Sequence, residues 1–129
     1  MERPPERRFF TLFTRYWLPV LLYVTMVIAI SAQPYLVPPM EFRYSDKISH
    51  VIEYFGLGVL IARALRATMR LPLPLAAALI AMSLGIVVGT SDEYLQSFIP
   101  GRTSSAFDLL ADTVGLALAQ LVYLAFTRE

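Results

Sequence analysis

The sequence contains no cysteine, a single histidine and few charged residues. Without cysteine the chain can form neither disulfide bonds nor a thiolate metal site. Its 11 Lys and Arg residues nearly balance its 10 Asp and Glu residues, so it lacks the basic surface of a nucleic-acid-binding protein, and we expect no nucleic-acid partner. Charged residues occupy 16% of the 129 positions. An ordinary soluble domain has about 25%, and a soluble enzyme of this size is therefore disfavoured.

Apolar residues are what the sequence has in excess. They make up 57% of the chain, and the mean hydropathy is +0.58. A helix needs about 20 mainly apolar residues to cross a bilayer, and the chain holds four such runs, joined by short polar or proline-containing segments. We therefore predict an all-α fold, an integral membrane four-helix bundle with spans at about 16–32, 46–65, 72–90 and 108–126.

The first apolar run has a second interpretation, a cleaved signal peptide, because a charged leader precedes it. The exit sequence Ala32-Gln33-Pro34 is a poor cleavage site, and three further spans follow. These two features favour a membrane span.

Small residues in spans two and three predict close helix contacts. Gly56 and Gly58 form a flat patch on the second span, and the third span is rich in alanine and glycine. Such residues let helix backbones approach closely in membranes. A homodimer through these faces is a further expectation.

The distribution of Lys and Arg predicts the orientation. Eight lie in the leader, in the segment between spans two and three, and in the tail, whereas three (Arg43, Lys47 and Arg102) lie in the other two connections. By the positive-inside rule the termini are cytoplasmic. Residues 1–15 are then a basic cytoplasmic leader, and residues 16–129 form the membrane domain.

Polar residues recur at the outward-facing ends of spans two, three and four. Asp46, His50 and Glu53 follow an i, i+4, i+7 spacing and so share one helix face, as do Asp108 and Asp112 at i, i+4. Because spans two and four start on the outer side and span three ends there, we predict one polar layer containing Asp46, His50, Glu53, Asp92, Glu93, Gln96, Arg102, Asp108 and Asp112.

Ionisable residues inside a span are costly and often functional, so this layer is the candidate site. We assign general acid-base roles to His50, Glu53 and Glu93. Arg102 is suited to bind a phosphate or carboxylate. The remaining candidates, which would bind substrate or orient the other groups, are Asp46, Tyr54, Gln96, Asp108 and Asp112.

Structural interpretations of the same residues stay open. Asp46, Lys47, Asp92 and Arg43, taken singly, are typical of helix caps or solvated interface groups, with Asp46 as an N-cap and Asp108 paired with Arg102. A hydrolytic triad of His50 with Ser49, Ser91, Ser104 or Ser105 has no supporting motif.

A metal site is a further alternative. A set such as His50, Glu53, Glu93 and Asp108 could bind zinc, manganese or calcium. The sequence has no HExxH motif and no second histidine. We therefore assign no metal ligands and no cofactor.

Three motifs carry a resemblance to a known family. D-K-x-x-H-x-x-x-Y begins at Asp46, E-x-x-Q-x-x-x-P-G-R begins at Glu93, and D-x-x-x-D-x-x-G begins at Asp108. With these motifs in this order, roughly residues 46–118 resemble the VanZ-like family of small membrane proteins. Asp112 is a departure, because the family pattern has Asn there.

The resemblance implies a multi-pass protein of the bacterial inner membrane, in a family named for a factor that lowers susceptibility to the glycopeptide antibiotic teicoplanin. It implies no particular reaction. One hypothesis is a site that binds or modifies a lipid head group, a lipid-linked cell-wall precursor or a glycopeptide. The other is a non-catalytic structural or partner-binding module whose polar residues link the helices. A proton-coupled transporter is disfavoured because the polar groups lie at span ends.

Overall fold

The computed structural model describes residues 5–34, 44–69 and 74–126, and this part of the chain is almost entirely helical. The helices are α1 (Pro5–Leu12), α2 (Leu18–Ser31), α3 (Ser45–Thr68), α4 (Pro74–Gln96) and α5 (Ala106–Phe126), and a π-helical segment, Phe13–Trp17, joins α1 to α2. Four stretches are long and apolar enough to cross a membrane: Glu6–Ser31, Ser45–Thr68, Pro74–Gln96 and Ala106–Phe126. The predicted all-α membrane bundle of four helices is confirmed.

Some sequence predictions fall outside the described residues. They concern the connection at 35–43, which includes Arg43, the segment 70–73 with Arg70, and both chain ends.

The first membrane helix begins earlier than the predicted start at residue 16. Much of the charged leader is helical as α1, and it continues through the π-helical segment into α2. Pro19 occupies the first turn of α2. Proline has no N–H to donate to the preceding turn, and helix irregularities are typical at such positions.

Helices α3 and α5 form the most extensive contact of the bundle. A Cβ atom at Gly115 of α5 would overlap the backbone carbonyl oxygen of Val51 on α3. Gly58 of α3 also lies close to α5, since a Cβ atom there would be 2.7 Å from the Ala119 Cβ atom. Glycine therefore sets the distance between these two helices, as expected for close packing in a membrane.

The same glycine contacts bear on the predicted homodimer. Gly58 packs on α5, and Gly56 packs on the Tyr23 ring of α2. Both glycines of the flat patch thus pack against helices of the same chain, and the homodimer stays a prediction.

The outward faces of the helices are apolar. Large hydrophobic side chains are exposed along each of them, among them Leu21, Leu22, Ile52, Leu79, Val87, Leu110 and Leu121. The core contains Tyr54, Leu57, Ile61, Leu65 and Leu116. Helices that are hydrophobic on the inner and the outer face are typical of a bundle surrounded by lipid.

Helix α4 runs beyond Thr90, the predicted end of the third span, to Gln96. The chain then turns at Gly101, whose φ of 80° is in the left-handed region that favours glycine. The N–H of Arg102 donates to the Ile99 carbonyl at 3.1 Å within this turn. The turn directs the chain back to the bundle, where α5 begins at Ala106.

Candidate functional site

The candidate site lies where α2 and α4 end and α3 and α5 begin. All four membrane helices contribute polar residues to this end of the bundle. We call it the polar layer, and it contains Ser31, Ser45, Asp46, Lys47, His50, Glu53, Tyr54, Asp92, Glu93, Gln96, Arg102, Asp108 and Asp112. The structure thus brings every predicted site residue to one end of the bundle.

His50 and Asp112 form a direct pair between α3 and α5. The His50 Nδ1 atom lies 2.8 Å from Asp112 Oδ1. The Asp112 side chain is 0% exposed and the His50 side chain 13%. The second carboxylate oxygen of Asp112, Oδ2, is buried and has no hydrogen-bond partner among the described residues. It lies against Gly89, where an added Cβ would be 2.9 Å away.

Glu93 lies at the end of α4 and is held by the loop before α5. Its Oε2 atom accepts the backbone N–H of Ser105 at 3.0 Å. Its Oε1 atom is buried and has no partner within the described part of the chain. The carboxylate is therefore fixed through one oxygen while the other remains available to a ligand.

Asp92 is buried, which corrects its interpretation as a helix cap or a solvated interface group. It is 1% exposed. Its Oδ2 atom accepts hydrogen bonds from the Ser31 hydroxyl at 2.8 Å and from the Gln96 side-chain amide at 3.0 Å. Because α4 continues past Thr90, Asp92 faces the end of α2 instead of solvent.

Lys47 links two aspartates at the outer edge of the polar layer. Its Nζ atom lies 2.9 Å from Asp46 Oδ2 and is also paired with Asp108 Oδ1. Two of the structural interpretations are therefore wrong. Asp108 pairs with Lys47 and not with Arg102, and the N-cap of α3 is Tyr44, so Asp46 is not the cap.

Glu53, Tyr54 and Arg102 complete the inner part of the layer. The Glu53 carboxylate interacts electrostatically with His50 and Arg102. Tyr54 is 0% exposed, and its hydroxyl has no hydrogen-bond partner among the described residues; the same holds for the buried Nε atom of Arg102. Buried polar groups are nearly always hydrogen-bonded. These groups are therefore candidates for contact with a bound molecule.

Three of the predicted residues place possible metal-donor atoms close together. One donor atom from each of His50, Glu93 and Asp112 lies within 4.8 Å of the other two. This set differs from the predicted one, which combined His50 and Glu93 with Glu53 and Asp108. Asp108 is separated from the set by its pairing with Lys47.

An apolar groove of about 440 Å³ lies between α3 and α5 beside the polar layer. Lys47 is the charged residue in its lining, which otherwise consists of Tyr44, Val51, Phe107, Leu110, Ala111 and Val114. The groove therefore places a hydrocarbon-compatible surface next to charged groups.

Four contacts were not predicted from the sequence, three in the polar layer and one deeper in the bundle. Ser31 binds Asp92, and Gly89 leaves room for Asp112. Gln120, deeper in the bundle, donates to the Gly58 carbonyl at 3.2 Å. Ser105 binds Glu93 through its backbone N–H. A polar residue inside an apolar run was the available signal for Ser31 and Gln120, whereas the other two contacts depend on tertiary structure.

Comparison with known proteins gave two positive findings. The sequence model of the family described as VanZ/LLP1 matches residues 8–127. An uncharacterized protein of Schizosaccharomyces pombe is 27% identical over 110 residues, which cover 85% of this chain and 65% of that relative. The chain thus spans about 65% of the relative's length. No solved structure matches.

Proposed function

The chain belongs to the VanZ/LLP1 family, and from that membership and the geometry of the polar layer we propose that it binds or modifies the head group of a membrane amphiphile. The observation that carries the proposal is the set of buried, unpartnered polar atoms on Tyr54, Asp92, Glu93, Arg102 and Asp112. Leaving such atoms without partners costs about 1–3 kcal/mol each. A polar ligand that hydrogen-bonds to them would offset this cost.

The apolar groove supports an amphiphile as the ligand. Its lining is suited to a hydrocarbon chain, and Lys47 lies where the groove meets the polar layer. A head group would then contact the layer while its chain stays in an apolar environment. Arg102 would bind a phosphate or carboxylate, and His50 with Glu53 or Glu93 would move a proton.

A phospholipid head group is favoured over the other two ligands of the initial hypothesis, a lipid-linked cell-wall precursor and a glycopeptide. A relative occurs in a fission yeast, and phospholipids are common to the membranes of bacteria and fungi. Teicoplanin and a lipid-linked precursor therefore serve as comparison ligands in the test.

The test measures the thermal stability of the detergent-purified protein while anionic and zwitterionic phospholipids are added, because a ligand of the folded state raises its apparent stability. We expect Arg102→Gln to lower the apparent affinity for an anionic lipid at least about tenfold, so that a higher lipid concentration is needed for the same rise in thermal stability. Arg63→Gln is the matched control, since Arg63 is exposed at the opposite end of α3. Equal responses of the two variants would refute a head-group site in the polar layer.

A structural module is the second candidate function, favoured by hydrogen bonds that join different helices. Ser31 and Asp92 link α2 to α4, and His50 and Asp112 link α3 to α5. This alternative predicts that His50→Ala lowers the amount of folded protein in cells, and that function is lost only in proportion to the protein lost. A stable but inactive His50→Ala protein would instead support the binding site.

We further propose a bacterial inner-membrane location, which the resemblance to the VanZ-like family implies, with cytoplasmic termini, which the Lys and Arg distribution predicts. The absence of cysteine makes this directly testable. Single cysteines would be placed at Ser104, which is exposed beside the polar layer, and at Met69, which is exposed at the other end. A membrane-impermeant maleimide should label Ser104→Cys in intact cells. It should label Met69→Cys only after the cells are permeabilised. The opposite pattern would reverse the orientation.

A further inference from the structure

The geometry of the polar layer points to a divalent transition-metal site, and we propose that His50, Glu93 and Asp112 bind Zn²⁺ or a chemically similar ion. One donor atom of each residue lies within 4.8 Å of the other two. Ligand atoms that share one zinc ion lie about 3.0–3.5 Å apart. The donor atoms are therefore less than about 2 Å further apart than the ligands of one ion.

Unpartnered carboxylate oxygens are the second observation in favour of a metal. Glu93 Oε1 and Asp112 Oδ2 are both buried and have no hydrogen-bond partner among the described residues. Each belongs to a side chain whose other oxygen is already held, by the Ser105 N–H and by His50 respectively. Each carboxylate is thus oriented by one oxygen, and its second oxygen has no partner among the described residues. Since its Nδ1 atom is engaged with Asp112, His50 would bind the ion through Nε2, as in known sites where the other ring nitrogen of a histidine ligand contacts a carboxylate.

The charge of the inner polar layer also favours a cation. Four carboxylates, those of Glu53, Asp92, Glu93 and Asp112, interact electrostatically in this region. The cationic groups facing them are Arg102 and, when protonated, His50. Lys47 is engaged with Asp46 and Asp108 at the outer edge. Burying unbalanced charge is expensive, and a divalent ion would neutralise two of the carboxylates.

The donor set determines which metal fits best. An imidazole nitrogen with two carboxylates suits zinc and neighbouring transition metals. Calcium and magnesium prefer sites built from oxygen alone. With three protein ligands, a tetrahedral ion keeps one position for water or another oxygen ligand, which is typical of catalytic zinc sites.

The metal proposal does not depend on the proposed head-group site, because an ion binds in the absence of any lipid. Metal binding is therefore measured without added amphiphile. If the metal is bound and lipids have no effect, the metal proposal stands alone. If lipids bind and metal does not, the head-group proposal stands alone.

The experiment strips the full-length protein with a chelator in detergent and adds Zn²⁺, with Mn²⁺ and Ca²⁺ as comparisons. Metal content is measured by mass spectrometry and affinity by calorimetry. We expect one Zn²⁺ per chain, and at least about tenfold weaker binding by Glu93→Gln and by Asp112→Asn, which preserve side-chain shape. Replacing Zn²⁺ with Co²⁺ should give the visible absorption of a four-coordinate ion.

Asp92→Asn is the matched comparison. Asp92 is equally buried, adjacent to Glu93 and also has an unpartnered oxygen, Oδ1, but its other oxygen binds Ser31 and Gln96 and it lies outside the group of three donor residues. This variant removes one of the four interacting carboxylates but none of the three proposed ligands, so it should weaken Zn²⁺ binding much less than Glu93→Gln does. Zn²⁺ should raise the melting temperature of the wild type and of Asp92→Asn, and should raise that of Glu93→Gln much less. Substoichiometric Zn²⁺ in the wild type, or equal losses in Asp92→Asn and Glu93→Gln, would overturn the proposal, and so would preferential binding of Ca²⁺.

Discussion

The two ends of the bundle differ in where their charged side chains lie. In the polar layer, charged side chains such as Asp92 and Asp112 point inward and are buried. At the other end, where α3 and α5 terminate, the guanidinium groups stay outside. The Arg63 guanidinium lies 4.9 Å from the centre of the Tyr16 ring, and that of Arg66 lies 5.7 Å from the Tyr123 ring.

This difference separates charges that serve membrane placement from charges that form a site. Arginines stacked on aromatic rings at a helix end keep their solvation and anchor the helix at the interface. The carboxylates of the polar layer lose solvation and are retained even though apolar residues would pack there at lower cost. Both proposed functions, a head-group site and a structural network, would give these carboxylates a role beyond membrane insertion.

The largest expected effect comes from removing one partner of the buried pair. Asp112→Ala leaves His50 without its partner and should lower the free energy of unfolding by about 3–5 kcal/mol. Unfolding in detergent micelles by SDS titration measures the loss. Asp46→Ala is the control, because the Asp46 side chain is 50% exposed and its pairing contributes at most about 1 kcal/mol. Equal losses would remove the contrast between buried and exposed carboxylates.

A second substitution crowds the polar layer without changing any charge. At Gly89 an added Cβ would lie 2.9 Å from Asp112 Oδ2 and 3.2 Å from the Tyr54 ring. Gly89→Val should therefore cost about 1–3 kcal/mol of stability, as overpacking does. Thr90→Val is the neighbouring control, since Thr90 is exposed and its hydroxyl bonds only to its own helix, at the Ile86 carbonyl. A stable Gly89→Val protein would argue that Asp112 moves freely.

The hydroxyl of Ser31 provides a smaller test. Ser31→Ala removes a 2.8 Å hydrogen bond to the buried Asp92 carboxylate, and we expect a loss of about 1–2 kcal/mol. Thr25→Val is the control on the same helix, because its hydroxyl is exposed and bonds to the Leu21 carbonyl. The same SDS titration compares both variants with the wild type. A loss no greater than that of the control would imply that Asp92 does not need its partner on α2.

The smallest effect is expected at the arginine end. Arg63→Gln should lower stability by less than about 1 kcal/mol, because cation–π contacts at exposed sites contribute about 0.5–1 kcal/mol. A double-mutant cycle with Tyr16→Leu measures the coupling between the two side chains. Coupling as large as that between His50 and Asp112 would contradict the distinction between the two ends.

Local sequence features predicted the helices and the membership of the polar layer, but not its pairings. Apolar runs long enough to cross a bilayer indicate spans directly, and helical spacing places His50 and Glu53 on one face. The partner of Asp108 could not be derived in this way, since Lys47 and Arg102 were both available within one layer. Asp92 was misjudged because its burial depends on the position of Ser31, which lies at the end of another helix.

The contact at Gly115 has a mechanical consequence for the proposed site. Because backbone meets backbone there, main-chain atoms set the spacing between α3 and α5, and with it the spacing between His50 and Asp112. Glu93 belongs to α4, which meets α5 through the flexible side chain of Leu116 at Gly85. A small tilt of α4 would therefore change the distance from Glu93 to a fixed pair. Helix tilt, which responds to bilayer thickness, is in this way coupled to the geometry of the site.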